Sequence, residues 1–208
     1  MQSDPFVTGL VLGAGSSTRL GRPKQTLPYG EKTLLGQVVS VARTCRFAQL
    51  VVVIGGAAEE VRANVDLSGA EVVVNEAHGT GCSSSIAAAL AVVDPRCEAI
   101  VLMLGDQPGV SAATVAALRA ARSDAPLAVC RYEDGRGHPI AFARSMFDEL
   151  ADLHGDRGVW RLLERRAAEV IEVPIAGPIP LDVDTPRDYR AVLAEAGLGV
   201  RRPSPSLG

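Results

Sequence analysis

The run Leu12-Gly13-Ala14-Gly15-Ser16-Ser17-Thr18-Arg19-Leu20-Gly21-Arg22-Pro23-Lys24-Gln25 joins small residues to cations in a spacing that suits a polyanion. The apolar segment from Val7 to Leu12 stops abruptly at Gly13. A buried strand that opens into a glycine-rich loop lets backbone N–H groups approach a polyphosphate closely. Arg19 can grip phosphate oxygens in a fork, and Lys24 can set a point charge on them. The run therefore fits a nucleoside triphosphate, with Leu12, Gly13, Ala14, Gly15 and Ser16 beside the phosphates and Arg19 and Lys24 stabilising their charge. As a loop lysine, Lys24 is expected to support little packing.

Carboxylates supply the complementary chemistry. The wholly apolar segment Ala99 to Leu104 ends in Gly105-Asp106-Gln107-Pro108. In open α/β sheets ligands bind outside the carboxyl ends of the strands, so Asp106 belongs beside the first loop. A carboxylate there can hold Mg²⁺, which takes oxygen ligands and bridges substrate phosphates. Further on, Leu181-Asp182-Val183-Asp184 alternates apolar and acidic residues, which puts Asp182 and Asp184 on one face of an extended chain. Two such carboxylates call for a cation. Asp184-Thr185-Pro186 also reads as the cap of a final helix. Gly79 to Ser85 carries two glycines and three serines ahead of an alanine-rich segment, so Gly81, Ser83 and Ser84 are candidates for the ribose and base.

Two familiar phosphate loops do not fit. A Walker loop needs Gly-x-x-x-x-Gly-Lys-Ser/Thr, but Gly15 and Gly21 are wrongly spaced and Arg22-Pro23 precede Lys24. A dinucleotide fingerprint needs a third glycine where Thr18 stands, and an acid about 20 residues on, at the end of the next strand. That strand, Gln49 to Ile54, ends in Gly55-Gly56. A dinucleotide-dependent oxidoreductase is thus the rival reading from another class. A silent nucleotide-binding regulator is a third, and intact Lys24, Asp106 and Asp184 argue against it.

The stretch from Leu12 to Leu27 resembles the signature of the molybdenum cofactor nucleotidyltransferases, with Gly13, Leu20 and Thr26 as departures from it. Asn75 to Ser85, Gly105-Asp106-Gln107-Pro108, Gly137-His138-Pro139 and Leu181 to Pro186 match further segments of that family in order, so the resemblance spans about residues 7 to 195. It is nearest to the cytidylyl branch, because the guanylyl relatives carry Ala-Gly-Gly where this chain has Gly13-Ala14-Gly15. The resemblance implies transfer of a nucleotide from CTP to a phosphorylated pterin, molybdopterin or molybdenum cofactor, with release of pyrophosphate and transient contact with a molybdoenzyme or its chaperone. It makes Lys24, Arg19 and Asp106 catalytic, and it gives Mg²⁺ to Asp106 and Asp184 ahead of Asp182. It sets Gly137, His138 and Asp182 toward the acceptor. Gly155-Asp156-Arg157-Gly158 resembles another family element, but Val159-Trp160-Arg161 follows where Ala-Arg is usual. Guanylyl transfer, or transfer to another small phosphorylated acceptor, is the nearest alternative.

To bring these residues together the chain must form a mostly parallel α/β sheet, flanked by helices on both faces, in one Rossmann-like domain. Strand-like runs at Val7–Leu12, Gln49–Ile54, Glu71–Val74, Ala99–Leu104 and Leu127–Cys130 alternate with helix-like runs at Leu34–Arg43, Glu59–Ala63, Ser83–Val93 and Ala112–Arg122. Thr33, Ser83 and Ser111 are the expected N-caps. These make a nucleotide-binding half over about 7–130. An acceptor half over about 131–198 has a turn at Asp134–Gly137, short strands at Ile140–Phe142, Val170–Pro174 and Leu181–Val183, and helices at Arg144–Leu153, Val159–Arg166 and Pro186–Ala196. The Pro-, Ser- and Gly-rich residues 199–208 are expected to be a disordered tail.

Composition narrows the class. With 208 residues, 47% hydrophobic and 22% charged, the chain is one ordinary domain with a full core. A net charge of −3 and the lack of a basic stripe argue against nucleic acid. No apolar run is long enough for a bilayer, and no leader pattern precedes Val7. Cys45, Cys82, Cys97 and Cys130 lack metal-site spacing and read as reduced thiols of a cytoplasmic protein.

Overall fold

Val7–Gly13 (β1) is buried on both faces, as a strand must be when helices cover a sheet from each side. It is an interior strand of the sheet in a computed structural model that describes residues 5–15, 17–121 and 125–199. Ser16 and the tail from 200 to 208 fall outside the described residues. The remaining elements follow in chain order: the short hairpin Pro28–Tyr29 (β2) and Lys32–Thr33 (β3), Leu34–Thr44 (α1), Gln49–Ile54 (β4), Ala58–Asn64 (α2), Glu71–Val74 (β5), Cys82–Leu90 (α3), Ala99–Leu104 (β6), Ala112–Ala121 (α4), Leu127–Tyr132 (β7), Gly135–Ala143 (β8), Phe147–Ala151 (α5), Gly158–Arg165 (α6), Val170–Pro174 (β9) and Pro186–Glu195 (α7).

The main sheet has seven strands in the order β5-β4-β1-β6-β8-β7-β9. Only β8 runs antiparallel to its neighbours. The register sets Gly13 beside Ile54 and Leu12 beside Leu104, so β1, β4 and β6 all end at one edge. Because β8 runs the other way, its first residues come to that same edge.

Alternate residues of each strand feed two cores. Val11, Val52, Val101 and Met103 pack against Leu35, Val38 and Val39 of α1, Val61 of α2 and Val115 and Leu118 of α4. Leu10, Val51, Val53 and Leu102 pack on the opposite face against Ile86 of α3, Leu150 of α5 and Leu162 of α6. The fold is thus a three-layer, single-domain α/β structure of the expected class. A third, smaller cluster joins Leu27, Leu34, Val183 and Val192, and it ties the C-terminal helix to the start of α1. Truncating any of these fully buried leucines to alanine costs about 2–5 kcal/mol.

Three local expectations are corrected. Residues 181–183 form no strand; the Val183 amide instead donates to the Asp106 carbonyl in the loop after β6. The turn before β8 is Glu133-Asp134 alone, and Gly135 to Gly137 already pair with Tyr132 to Cys130. Ser83 does not cap α3. It lies inside that helix, and the cap position is Gly81, whose φ of 108° is a conformation that favours glycine. Thr33 and Ser111 do cap, each accepting from an amide three residues on.

Candidate active site

The glycine-rich loop leaves the sheet where Leu35 of α1 supports its floor. A methyl group on Gly13 would lie 3.1 Å from a Leu35 methyl, and one on Gly105 would lie 2.8 Å from the other. Both loops of the site therefore rest on one buried leucine, and glycine is what lets them settle there. Ser17 adopts a left-handed φ of 51°, and its hydroxyl accepts from the Lys24 backbone amide at 2.9 Å. Lys24 thereby folds back beneath the loop it follows, with its side chain only 12% exposed.

Lys24 Nζ donates to Asp106 Oδ2 at 2.6 Å and to Asp184 Oδ1 at 2.9 Å. Arg19 donates to the other Asp184 oxygen at 2.8 Å. Four residues taken from three distant parts of the sequence thus meet at one point. The Val183 amide donates to the Asp106 carbonyl, and Gln107 Nε2 donates to the Pro180 carbonyl and to Asp182 at 2.7 Å. Those bonds hold the segment bearing Asp184 against the loop after β6. Thr185 and Asp188 form a reciprocal capping box that fixes the start of α7 one residue later.

The charges are mutually dependent. Burial pushes the Asp106 carboxyl up, against the pull of Lys24, and neighbouring Asp182 adds to the rise. Burial opposes the charge on Lys24 too, but Asp106 and Asp184 outweigh it and the ammonium is held above its ordinary value. The hydrogen bond from Lys24 holds Asp184 below the usual carboxylate range, with Arg19 contributing.

A cleft of about 300 Å³ opens beside this cluster. Leu12, Gly13, Ala14, Gly15, Lys24 and Asp106 line one side, and Gly81 faces them from the start of α3. Ser83 and Ser84 do not line it. Ser83 is buried and donates to the Gly155 carbonyl at 2.6 Å, while the Ser84 hydroxyl is held by Asn75 and the Gly81 carbonyl. The side chains that take their place are Cys82, Ser85, His78, Gln25 and Asp156, all of which lie in segments that the sequence marks without giving these residues a site role. Asp156 comes from the Gly155–Gly158 element and accepts from the Cys82 amide at 2.9 Å. Burial, with the nearby Asp156 and Asp106 carboxylates, pushes the Cys82 thiol up to about 11, so it is no nucleophile at neutral pH.

Gly137 and His138 open β8 at the edge where β6 ends, outside the lining of that cleft. His138 is buried edge-on against Trp160, with ring centroids 5.5 Å apart, and its backbone carbonyl accepts from Tyr132. Burial lowers its imidazole to about 4.

The donor set fits a hard divalent cation. Asp106 and Asp184 both reach one ammonium, so their oxygens are no farther apart than two hydrogen bonds laid end to end. Mg²⁺-type sites use one or two carboxylates and take their remaining ligands from water and substrate phosphate. Among the described residues no group of three or more His, Cys, Asp and Glu is gathered.

Residues 9–170 match the family model described as the MobA-like NTP transferase domain. The chain belongs to the MobA-like NTP transferases. Nucleotidyl transfer is accordingly the reaction class. The crystal structure of a Mycobacterium tuberculosis Rv0371c homologue from Mycobacterium sp. strain JC1 is 52% identical, with a TM-score of 0.88 over 93% of this chain and 98% of that one. Rv0371c of Mycobacterium tuberculosis H37Rv, in complex with manganese, is 48% identical, with a TM-score of 0.82 over 90% and 98% of the two chains. Among curated proteins, nicotine blue oxidoreductase of Paenarthrobacter nicotinovorans is 31% identical over 171 residues, 78% of this chain and 83% of that protein.

Proposed function

We propose that this nucleotidyltransferase moves a cytidylyl group from CTP to the phosphate of a molybdopterin-type acceptor, with Mg²⁺ as its metal. The observation that carries the chemistry is the meeting of Lys24, Asp106 and Asp184 at the mouth of the glycine-rich loop. An oxygen of the acceptor phosphate forms a bond to the α-phosphorus. The bond from that phosphorus to the bridging oxygen breaks, and pyrophosphate leaves with the electron pair. The attacking phosphate is already an anion at neutral pH, so no side chain has to remove a proton. The work left to the protein is positioning and neutralisation of charge.

Backbone N–H groups of the Gly13–Ser17 loop hold the triphosphate, Ser16 included. Lys24 moves from its carboxylate partners onto the phosphates, and Arg19, on the exposed side of Asp184, reaches the outer ones. Asp106 and Asp184 would hold Mg²⁺, which when bound offsets negative charge on the α-phosphate. Gly137, His138 and Asp182 lie toward the acceptor, at the strand edge shared with β6. The product would then pass to a molybdoenzyme or its chaperone.

The base preference rests on Ala14, whose methyl lies buried in the cleft floor where glycine would leave more room. A site matched to the amino donor and carbonyl acceptor of cytosine leaves polar groups unpaired against guanine. The oxidoreductase reading, which the name of one relative keeps in view, lacks a carboxylate for a ribose after β4, where Gly55 and Gly56 follow Ile54. Four free cysteines, and the lack of any helix among the described residues long and apolar enough to cross a membrane, accord with a cytoplasmic site of action. The test is kcat/KM for CTP and for GTP with a molybdopterin acceptor. A clear CTP preference, relaxed several-fold by Ala14→Gly, supports the reading. Equal values or a GTP preference overturn the cytidylyl assignment and leave nucleotidyl transfer standing.

A further inference from the structure

We propose that Gln25 is a positioning residue: its side-chain amide holds the glycine-rich loop in the shape that receives the triphosphate. Gln25 sits one residue after Lys24 and is only 4% exposed. Its Nε2 donates to the Gly13 carbonyl at 2.7 Å and to the Gly15 carbonyl at 2.8 Å. One amide thus spends both of its N–H bonds on the two glycines of the loop.

The consequence follows from peptide geometry. The C=O and N–H of a trans peptide point in opposite directions. Turning the Gly13 carbonyl toward Gln25 therefore turns the Ala14 N–H away from it, leaving that donor for a ligand. At its start the loop is held by the Gly13–Ile54 pairing and by Leu35 beneath Gly13, but beyond Ala14 the side-chain bonds to it come from Gln25 and, at 3.5 Å, from the Ser17 hydroxyl on the Gly15 carbonyl. Among the described residues a methyl group on Gly15 would meet only the end of the Lys24 side chain, so packing does little to fix that residue. Gln25 and Lys24 are adjacent, and the Lys24 amide is bonded to Ser17, so the same segment sets the distance between loop and ammonium.

The other end of the amide shows what this arrangement costs. Gln25 Oε1 is buried without a partner, one of two such side-chain atoms among the described residues, the other being Gln107 Oε1. A buried carbonyl with no donor is unfavourable, and methionine would fill the same space without it. A glutamine here is explained by its N–H groups and by the loop they hold.

This inference rests on nucleotidyl transfer but not on the choice of base. The test uses the full chain with Gln25→Met, which keeps length and drops both donors, and Gln25→Glu, which points a carboxylate at two carbonyls. Calorimetry measures affinity for inorganic tripolyphosphate and for CMP, each with Mg²⁺, and thermal unfolding is followed alongside. The clamp predicts that both variants lose tripolyphosphate affinity by about tenfold or more while CMP affinity changes by less than about threefold. Wild-type tripolyphosphate affinity in a folded Gln25→Met protein overturns it, as does an equal loss of both ligands. Failure of the unaltered protein to bind tripolyphosphate at all overturns both the clamp and the loop's assignment.

Discussion

Lys24 Nζ lies 2.6 Å from Asp106 Oδ2, and the pair is largely shielded from water although 82 positions separate the two residues in the chain. A mostly buried ion pair is a poor source of net stability but a costly thing to break, because the remaining charge is stranded. Here the same ammonium also holds Asp184, so it occupies the point between the two carboxylates where a cation would sit. On the reading proposed above, lysine and metal are alternatives at that point, with the triphosphate drawing the lysine away.

Lys24→Ala is expected to lower turnover by at least about 100-fold, the scale of losing one preorganised charge-stabilising group. Its side chain is more enclosed than a loop lysine promises, so the fold also suffers. Stranding Asp106 costs about 1–3 kcal/mol, which corresponds to a fall in Tm of about 3–10 °C. Calorimetric unfolding and steady-state rates check the two effects separately. Near-normal turnover by the folded variant would remove Lys24 from the chemistry.

Gly55→Ala is expected to damage the cleft from its far side. A methyl group there would stand 2.6 Å from the Ala14 carbonyl oxygen and 2.9 Å from His78 Cβ, so the loop or the histidine must shift. Overpacking of this kind costs about 1–3 kcal/mol, and nucleotide affinity should fall with it. Gly79→Ala meets open space at a permissive backbone and should change stability by no more than about 0.5 kcal/mol. Equal behaviour of the two variants in unfolding would contradict the packing described; Gly79 lines the cleft, so its effect on nucleotide binding is read separately.

His138 should give the fold an acid-sensitive component. Its imidazole is held near 4 by burial, below its ordinary value of 6.5. Between those values the unfolded chain binds the proton and the folded one does not, so the contribution is full above pH 6.5 and is lost as pH falls toward 4. The loss reaches about 3 kcal/mol at its limit. His138→Gln should flatten the stability profile in that window, as read from denaturant midpoints at several pH values. A parallel profile for wild type and variant would mean that the ring titrates freely.

Much of this architecture is legible in the sequence because its strands are central and its loops are glycine-rich. Gln49–Ile54, Glu71–Val74, Ala99–Leu104 and Val170–Pro174 form where their apolar runs begin and end. Asp106 follows the same logic, standing two residues beyond a strand end. The alternation in Leu181–Asp184 correctly separates a core-facing Val183 from its acidic neighbours, but alternation cannot say whether a partner strand exists. Ser83 and Ser84 look like ligand groups by composition, and only the long-range contacts to Gly155 and Asn75 reveal that both are occupied. His78, Asp156 and Gln25 fall within segments that resemble the family, yet no role of their own is legible there, for the converse reason. Their roles come from what the fold lays against them, such as Gly55 and Gly56 beneath His78, and no local pattern encodes that.

On the reading proposed here, Asp106 and Asp184 hold the divalent cation while Lys24 turns to the triphosphate. A crystal structure of the full chain with CTP and Mn²⁺, read by anomalous scattering, tests it directly. One metal peak is expected within about 2.3 Å of an oxygen from each carboxylate, with Lys24 Nζ withdrawn from between them and bonded to phosphate oxygens. A nucleotide bound with its metal elsewhere, and Lys24 still bridging Asp106 and Asp184, would contradict it.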